Sequence, residues 1–272
     1  MRIFSALVTA ALFWCVASRA SAEMHPLGDT LAGHPGVTYG ALLRQAMPDL
    51  KQDGDTWTGK LARYRHLLGA DYDNGEPDAI AVTGVDVQHV RESGQDRLVL
   101  ISFNANAPND WFALLAAFDN AKKPKLLDYG NVAADQYNGY YEPAILKLAG
   151  GSDAILISST HSNSNQAYAI TSAITLVGGK FQPALTLMTI SDHACSYARA
   201  QDLSFKSHGS DIVAEVVETS QLLEDDCGDD APKVRFGKHV YRDTWRWDAR
   251  RHRYVWATGA IARLEKITRN RE

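Results

Sequence analysis

The sequence contains none of the short motifs that mark the common enzyme chemistries. It has no GxSxG nucleophile elbow, no HExxH zinc-binding pair, no phosphate-cradling glycine-rich loop and no dinucleotide-binding fingerprint. Serine, histidine and aspartate are common enough for a triad of distant residues, such as Ser159, His161 or His193 with Asp192. Because a triad is defined by geometry, the sequence leaves open whether the protein is an enzyme.

An excess of positive charge is also missing. The chain has 28 lysines and arginines against 32 aspartates and glutamates, which gives a net charge of −4. Domains that bind nucleic acid usually carry a basic surface that neutralises phosphates. The composition therefore argues against nucleic acid as a partner.

Long apolar runs are absent after the N-terminus, and the run that is present has the form of a secretory signal. Arg2 precedes an apolar stretch at 3–16, and the small residues Ala20 and Ala22 stand where a signal peptidase cleaves. The stretch is shorter than the ~20 residues that span a bilayer, which argues against the alternative of an uncleaved anchor. We therefore predict a signal peptide at 1–22, a mature N-terminus at Glu23, a periplasmic or secreted protein, and no transmembrane segment after cleavage.

Cysteine is scarce, with three residues in the chain, of which Cys15 leaves with the signal. The remaining pair, Cys195 and Cys227, predicts one disulfide in an oxidising compartment. The alternatives are two free thiols or a metal site. Two thiols without a CxxC unit are a poor zinc signal.

The pattern of residues predicts a single β-rich domain at 23–272. The part at 23–77 is an irregular and helical lead-in, in which Thr38 can cap a short helix that ends before Pro48. At 78–272, short β-branched and aromatic runs alternate with Gly, Asn and Asp clusters at the spacing of repeated antiparallel hairpins. The predicted fold class is therefore all-β, mainly an antiparallel meander, with a short N-terminal helix.

A weak internal repeat divides the β-rich part into about three four-stranded units. A Gly-x-Asp turn between two apolar strands recurs at 94–96, 151–153 and 209–211, with the aspartates 57 and 58 residues apart. A polar loop and a long strand follow each turn, and the third loop carries about 13 extra residues. Three units are fewer than the four to eight blades of the usual propeller. The units therefore form either a propeller-like arrangement, completed by the lead-in, or an open curved sheet or sandwich, unless the repeat is a chance product of regular hairpins.

The segment 71–78 is the candidate metal site. Carboxylates spaced around a glycine turn can supply oxygen ligands to Ca²⁺, and the candidate ligands are Asp71, Asp73 and Asp78. Over about a dozen residues the segment resembles the calcium-associated turn and strand of FG-GAP repeats. It departs from an EF-hand loop because Gly75 stands where a third ligand is needed. The alternative is an Asx/Gly turn that starts a strand, with no cofactor. The acidic run at 224–230 can bind Ca²⁺ or a basic partner, or it is a solvated loop tip held by the disulfide.

Two polar loops in equivalent positions of the first and second units form the candidate ligand-binding surface. If the units pack side by side, these loops and the acidic run lie along one edge of the sheet, where binding residues tend to be placed. The alternative is that Asn and Ser simply form hairpin loops. The candidate residues are Asn104, Asn106, Asp110, His161, Asn163 and Asn165.

The leading hypothesis is a non-catalytic module of the cell envelope that binds a protein, a glycan or another envelope component. It rests on an all-β scaffold with polar loops, one predicted disulfide and no catalytic motif. The alternatives are a cell-envelope hydrolase with dispersed catalytic residues and a calcium-stabilised structural protein.

Overall fold

The computed structural model describes residues 23–104, 111–163, 166–194, 197–223, 236–257 and 259–269. The two cysteines, the signal at 1–22, the acidic run at 224–230 and the candidate residues Asn106, Asp110 and Asn165 lie outside these ranges. Among the described residues, no helix is both long and apolar enough to cross a membrane.

The chain forms two open antiparallel sheets of six and eight strands, which confirms the predicted all-β class. The strands of the first sheet, in spatial order, are β1 (Lys51–Asp53), β2 (Thr56–Gly59), β3 (Ile80–Glu92), β4 (Gln95–Asn104), β5 (Leu114–Asp119) and β6 (Leu126–Asn131). Those of the second are β7 (Tyr137–Leu148), β8 (Ser152–Ser162), β9 (Gln166–Val177), β10 (Lys180–Ala194), β11 (Tyr197–His208), β12 (Asp211–Leu222), β13 (Gly237–Asp248) and β14 (Arg253–Trp256). Spatial order follows chain order in both sheets, so the fold is a meander.

Three meanders of four strands correspond to the sequence repeat: β3–β6, β7–β10 and β11–β14. They are not separate propeller blades, because β10 pairs with β11 and joins the second and third meanders into one sheet. This ladder covers only the four pairs from Ser191↔Ala200 to Ala194↔Tyr197. The open-sheet alternative therefore describes the molecule.

The helices differ from the expectation. The first helix, α1 (Tyr39–Leu43), is shorter than expected, although Thr38 does cap it through a 3.1 Å hydrogen bond from the Ala41 N–H. The lead-in also contains the β1–β2 hairpin, which extends the first sheet through β2 and β3. A C-terminal helix, α2 (Ala260–Arg269), was not expected. It packs on β13 and β10.

Three apolar clusters hold the layers together. On β4, Leu98 and Leu100 face the lead-in, while the alternating Val99 and Ile101 face the second sheet. This alternation buries both faces of the first sheet. The third cluster lies on the opposite side of β8 and joins the second meander to the third meander and to α2.

All three Gly-x-Asp turns lie at one end of the strands, which we call the turn end. There, the Gly94 N–H donates to the Gly151 carbonyl at 2.7 Å, and the Ala149 N–H donates to the Gly209 carbonyl at 2.8 Å. Glycine suits these turns because Gly94 and Gly209 have φ of +81° and +64°. The repeated turns thus bond to one another from meander to meander. The strand ends that border the polar loops, such as Asn104 and Ser162, lie at the opposite end, which we call the loop end.

Candidate functional site

An open cleft of about 600 Å³ lies at the loop end. It is lined by four residues with a carboxylate or carboxamide group, three aromatic residues and three apolar ones: Asp71, Asn74, Asp135, Gln166, Tyr72, Trp111, Tyr168, Ala134, Ile170 and Met188.

The meander explains why residues so distant in sequence share this cleft. Antiparallel neighbours alternate in direction, so every second connection of a meander returns to the same end. The segment before β3 supplies Asp71 and Tyr72, and the connection before β5 supplies Trp111. Gln166 begins β9, directly after the second polar loop. Trp111 follows the first polar loop in the sequence and Gln166 follows the second, so residues next to both loops line one cleft.

Asp135, between β6 and β7, is the buried centre of this site. Its side chain is 1% exposed and accepts hydrogen bonds from the Gln136 N–H (2.6 Å) and from the Tyr168 hydroxyl. Its Oδ1 also lies 3.2 Å from Nδ1 of His161. The His161 and Tyr168 rings stack in parallel, with centroids 5.1 Å apart. One carboxylate therefore fixes two stacked rings, one of which lines the cleft.

The serine nearest this centre is engaged elsewhere. Ser159 is buried, donates to Oδ1 of Asn138 at 2.5 Å and accepts from the Ala134 N–H at 3.0 Å. Asp192 does not orient a histidine here, because its two oxygens bind Nε and Nη2 of Arg199, each at 2.8 Å. The described hydrogen bonds therefore join His161 to Asp135, rather than to the Ser159 and Asp192 of the triad that the sequence allowed.

The described ligand-binding candidates lie at the loop end, and two of them bond to their own loops. The Asn104 carboxamide donates to the Phe112 carbonyl. The Asn163 side chain accepts from the Gln166 N–H at 2.8 Å. The two asparagines therefore bond to the backbone at or next to Trp111 and Gln166, which line the cleft.

The candidate metal ligands are in different surroundings. Asp71 lines the cleft, and Asp78 is exposed. Asp73 accepts from the Gly75 N–H at 2.9 Å, which is an Asx turn, and from the Tyr64 hydroxyl at 2.5 Å. The bond from Tyr64 lowers the pKa of Asp73. Burial, followed by this same bond, raises the pKa of Tyr64 to about 12.

Metal binding itself stays a prediction. In the described ranges, no group of three or more His, Cys, Asp or Glu side chains is placed to hold a metal ion.

Sequence reasoning missed Asp135, Tyr168 and Trp111. The register of the β8–β9 hairpin pairs His161 with Tyr168, so a correct register would have found the tyrosine. No sequence signal marks Asp135, because its histidine partner lies 26 residues further along the chain.

The disulfide also stays a prediction, since both cysteines lie in undescribed connections. The flanking strands are neighbours, because Tyr197 pairs with Leu222 in the β11–β12 ladder. Comparison with protein families, curated proteins and solved structures found no match to this chain.

Proposed function

We propose that this protein is an exported, non-catalytic binding protein that holds a glycan in the loop-end cleft. The supporting observation is the composition of the cleft, whose lining combines the rings of Tyr72, Trp111 and Tyr168 with carboxylate and carboxamide groups. Trp111 is 37% exposed, so part of its ring is accessible to a ligand.

A glycan fits this combination of groups. A sugar ring has an apolar face that can pack on an aromatic ring, and a rim of hydroxyls that both donate and accept hydrogen bonds. Asp71 offers acceptors, while Asn74 and Gln166 offer both donors and acceptors. None of the described residues that line the cleft is basic, so an anionic ligand finds no counter-charge among them.

The buried bonds beneath the cleft support rigid recognition. Asp135 holds Tyr168 and His161 before any ligand binds. A preorganised wall lowers the entropic cost of binding, because fewer side chains must be ordered by the ligand.

The test is titration of the purified protein with chito-oligosaccharides, cello-oligosaccharides and peptidoglycan fragments, followed by calorimetry and tryptophan fluorescence. We expect Trp111→Ala to weaken the binding of the tightest-binding oligosaccharide about ten-fold or more. The control is Leu222→Ala, which truncates a 61% exposed side chain at the same end and should leave affinity unchanged. Saturable binding to none of the three classes, or equal binding by Trp111→Ala, would contradict the proposal.

Export has its own test. We expect protein recovered from the periplasm or medium to begin at Glu23. Recovery from the cytosol with Met1 to Ala22 still attached would refute export without bearing on the glycan.

A second candidate, a cell-envelope hydrolase, is favoured by one observation. A histidine paired with a buried carboxylate is a common acid–base arrangement, and His161 and Asp135 are so paired beside the cleft. The distinguishing measurement is release of reducing ends from a bound oligosaccharide. Turnover that is lost in His161→Ala, while binding survives, would make the protein an enzyme.

A further inference from the structure

The positive charge of the chain is concentrated at its C-terminal end. Residues 237–272 contain ten lysines and arginines and four acidic residues, a net charge of +6, although the whole chain carries −4. Such an asymmetry indicates a local partner rather than general solubility.

The fold arranges much of this charge on one hairpin. Three exposed basic residues stand four positions apart on β13 and therefore share one face of the strand: Lys238, Arg242 and Arg246. The turn that follows, at 249–252, carries the exposed Arg250, Arg251 and His252, and Arg253 begins β14. We call β13, this turn and β14 the basic hairpin.

Part of this charge is neutralised and part is not. Arg242 pairs with Glu215, Arg246 lies 3.4 Å from Asp211, and Arg251 lies 3.6 Å from Asp248. In the described part of the chain, Arg250 and Arg253 have no acidic partner within 4.0 Å. The uncompensated charge is therefore at the tip, which belongs to the turn end, opposite the cleft.

Two aromatic side chains lie on the strands that flank the turn at 249–252. Trp247 contacts Tyr254 edge to face, with centroids 5.4 Å apart, and His252 in the same manner at 6.5 Å. Trp247 and Tyr254 are half-buried. Rings of this amphipathic kind, beside basic groups, are typical of protein surfaces that sit at the headgroup level of a bilayer.

We infer that the tip of the basic hairpin binds the surface of an anionic phospholipid bilayer. Arginine suits phosphate groups because its planar guanidinium can donate two parallel hydrogen bonds to them. The charges lie on an exposed turn, which favours a broad charged surface over an acidic peptide. This inference is independent of the glycan proposal, since it uses no residue of the cleft.

The test is co-sedimentation of the full protein with vesicles of phosphatidylglycerol and phosphatidylcholine, compared with phosphatidylcholine alone, at low salt. We expect binding only to the anionic vesicles, and loss of that binding as salt shortens the Debye length. Each arginine near the surface is worth about a five-fold change in partitioning. The variant Arg250→Gln/Arg251→Gln/Arg253→Gln should therefore bind about 100-fold more weakly.

The matched control is Lys122→Gln/Lys123→Gln/Lys125→Gln. It removes the same charge from three exposed lysines between β5 and β6, also at the turn end. An equal loss in both triple variants, or no binding of the natural chain to anionic vesicles, would overturn the inference. Binding of soluble polyglutamate as tightly as vesicles would also overturn it and point to an acidic protein. The single variants Arg250→Gln and Arg253→Gln replace the triple if it fails to fold.

Discussion

Asp243 is the residue whose removal should most clearly damage the C-terminal part of the fold. Its side chain lies on β13, is 1% exposed, and accepts from the Ala260 N–H at 2.7 Å and the Ile261 N–H at 3.0 Å. It also accepts from Nε1 of Trp256 at 3.2 Å. One buried carboxylate therefore holds the first turn of α2 and the end of β14 against the sheet.

The cost of Asp243→Ala can be worked from these contacts. Loss of a helix-capping side chain costs ~1 kcal/mol, and donors left without an acceptor in a buried site cost ~1–3 kcal/mol each. Removing a buried charge offsets part of this, so we expect a loss of about 3–4 kcal/mol. With a urea m-value of about 3 kcal/mol/M, the unfolding midpoint should fall by about 1 M.

Urea unfolding and amide hydrogen exchange together test this prediction. If α2 detaches, Ile261 and Leu264 leave the third apolar cluster, so the amides of α2 should exchange faster in Asp243→Ala. The control is Glu215→Gln, which removes a solvent-exposed ion pair with Arg242 and should leave the unfolding midpoint nearly unchanged. A midpoint lowered no further than in the control, with α2 still protected, would refute the role of this carboxylate.

Four further predictions concern the disulfide, the hydrogen-bonded pair Tyr64 and Asp73, and the segment 71–78. If Cys195 and Cys227 form a disulfide, a thiol-reactive reagent should find no free thiol on the oxidised protein, and two reactive thiols would contradict the disulfide. Reduction of the bond should lower the free energy of unfolding by about 2–4 kcal/mol. Tyr64→Phe should raise the pKa of Asp73 toward that of an ordinary aspartate, measured by NMR titration, because the hydroxyl that lowers it is gone. Since folding raises the pKa of Tyr64 to about 12, the natural chain should also lose stability between about pH 10 and 12, and Tyr64→Phe should lose less. If the segment 71–78 binds Ca²⁺, adding the ion should raise the melting temperature of the protein, and EDTA should reverse the rise. An unchanged melting temperature would exclude the calcium site and favour the alternative, an Asx turn that starts a strand.

The strand order within each meander was predictable because its signals are local. A Gly-x-Asp turn between apolar runs fixes a hairpin wherever it occurs, and all three turns are found at hairpin tips. The continuous apolar run Leu98–Ile101 also has a local cause, since its strand is buried on both faces.

The division into two sheets was not predictable from the sequence. It depends on a single contrast: β10 pairs with β11, whereas β6 and β7 lie in different sheets. The β6–β7 and β10–β11 connections both follow a strand that has polar residues near its end. The hydrophobic alternation of a strand is the same whether the strand pairs with the preceding strand or packs face to face against it.

The residues that line the cleft were not predictable from the sequence. Loop residues such as Asn104 and Asn163 lie at the same end of the molecule as the cleft, because polar turn formers cluster where strands end. The cleft, however, is built from the residues that those loops hold in position, such as Trp111 and Gln166. Its buried carboxylate, Asp135, acts through long-range hydrogen bonds that no spacing in the chain reveals.

The backbone bonds that connect successive hairpin tips make the two ends of this protein unequal in their tolerance to change. An insertion at Gly94 or Gly209 would separate a donor from its acceptor in the adjoining meander and so disturb how the layers align. At the opposite end, doubling the length of a flexible connection costs only ~0.6 kcal/mol of closure entropy. The 13 or so additional residues of the third unit stand between β12 and β13 in the sequence. New recognition surfaces can therefore be added at that end while the base of the scaffold keeps its alignment.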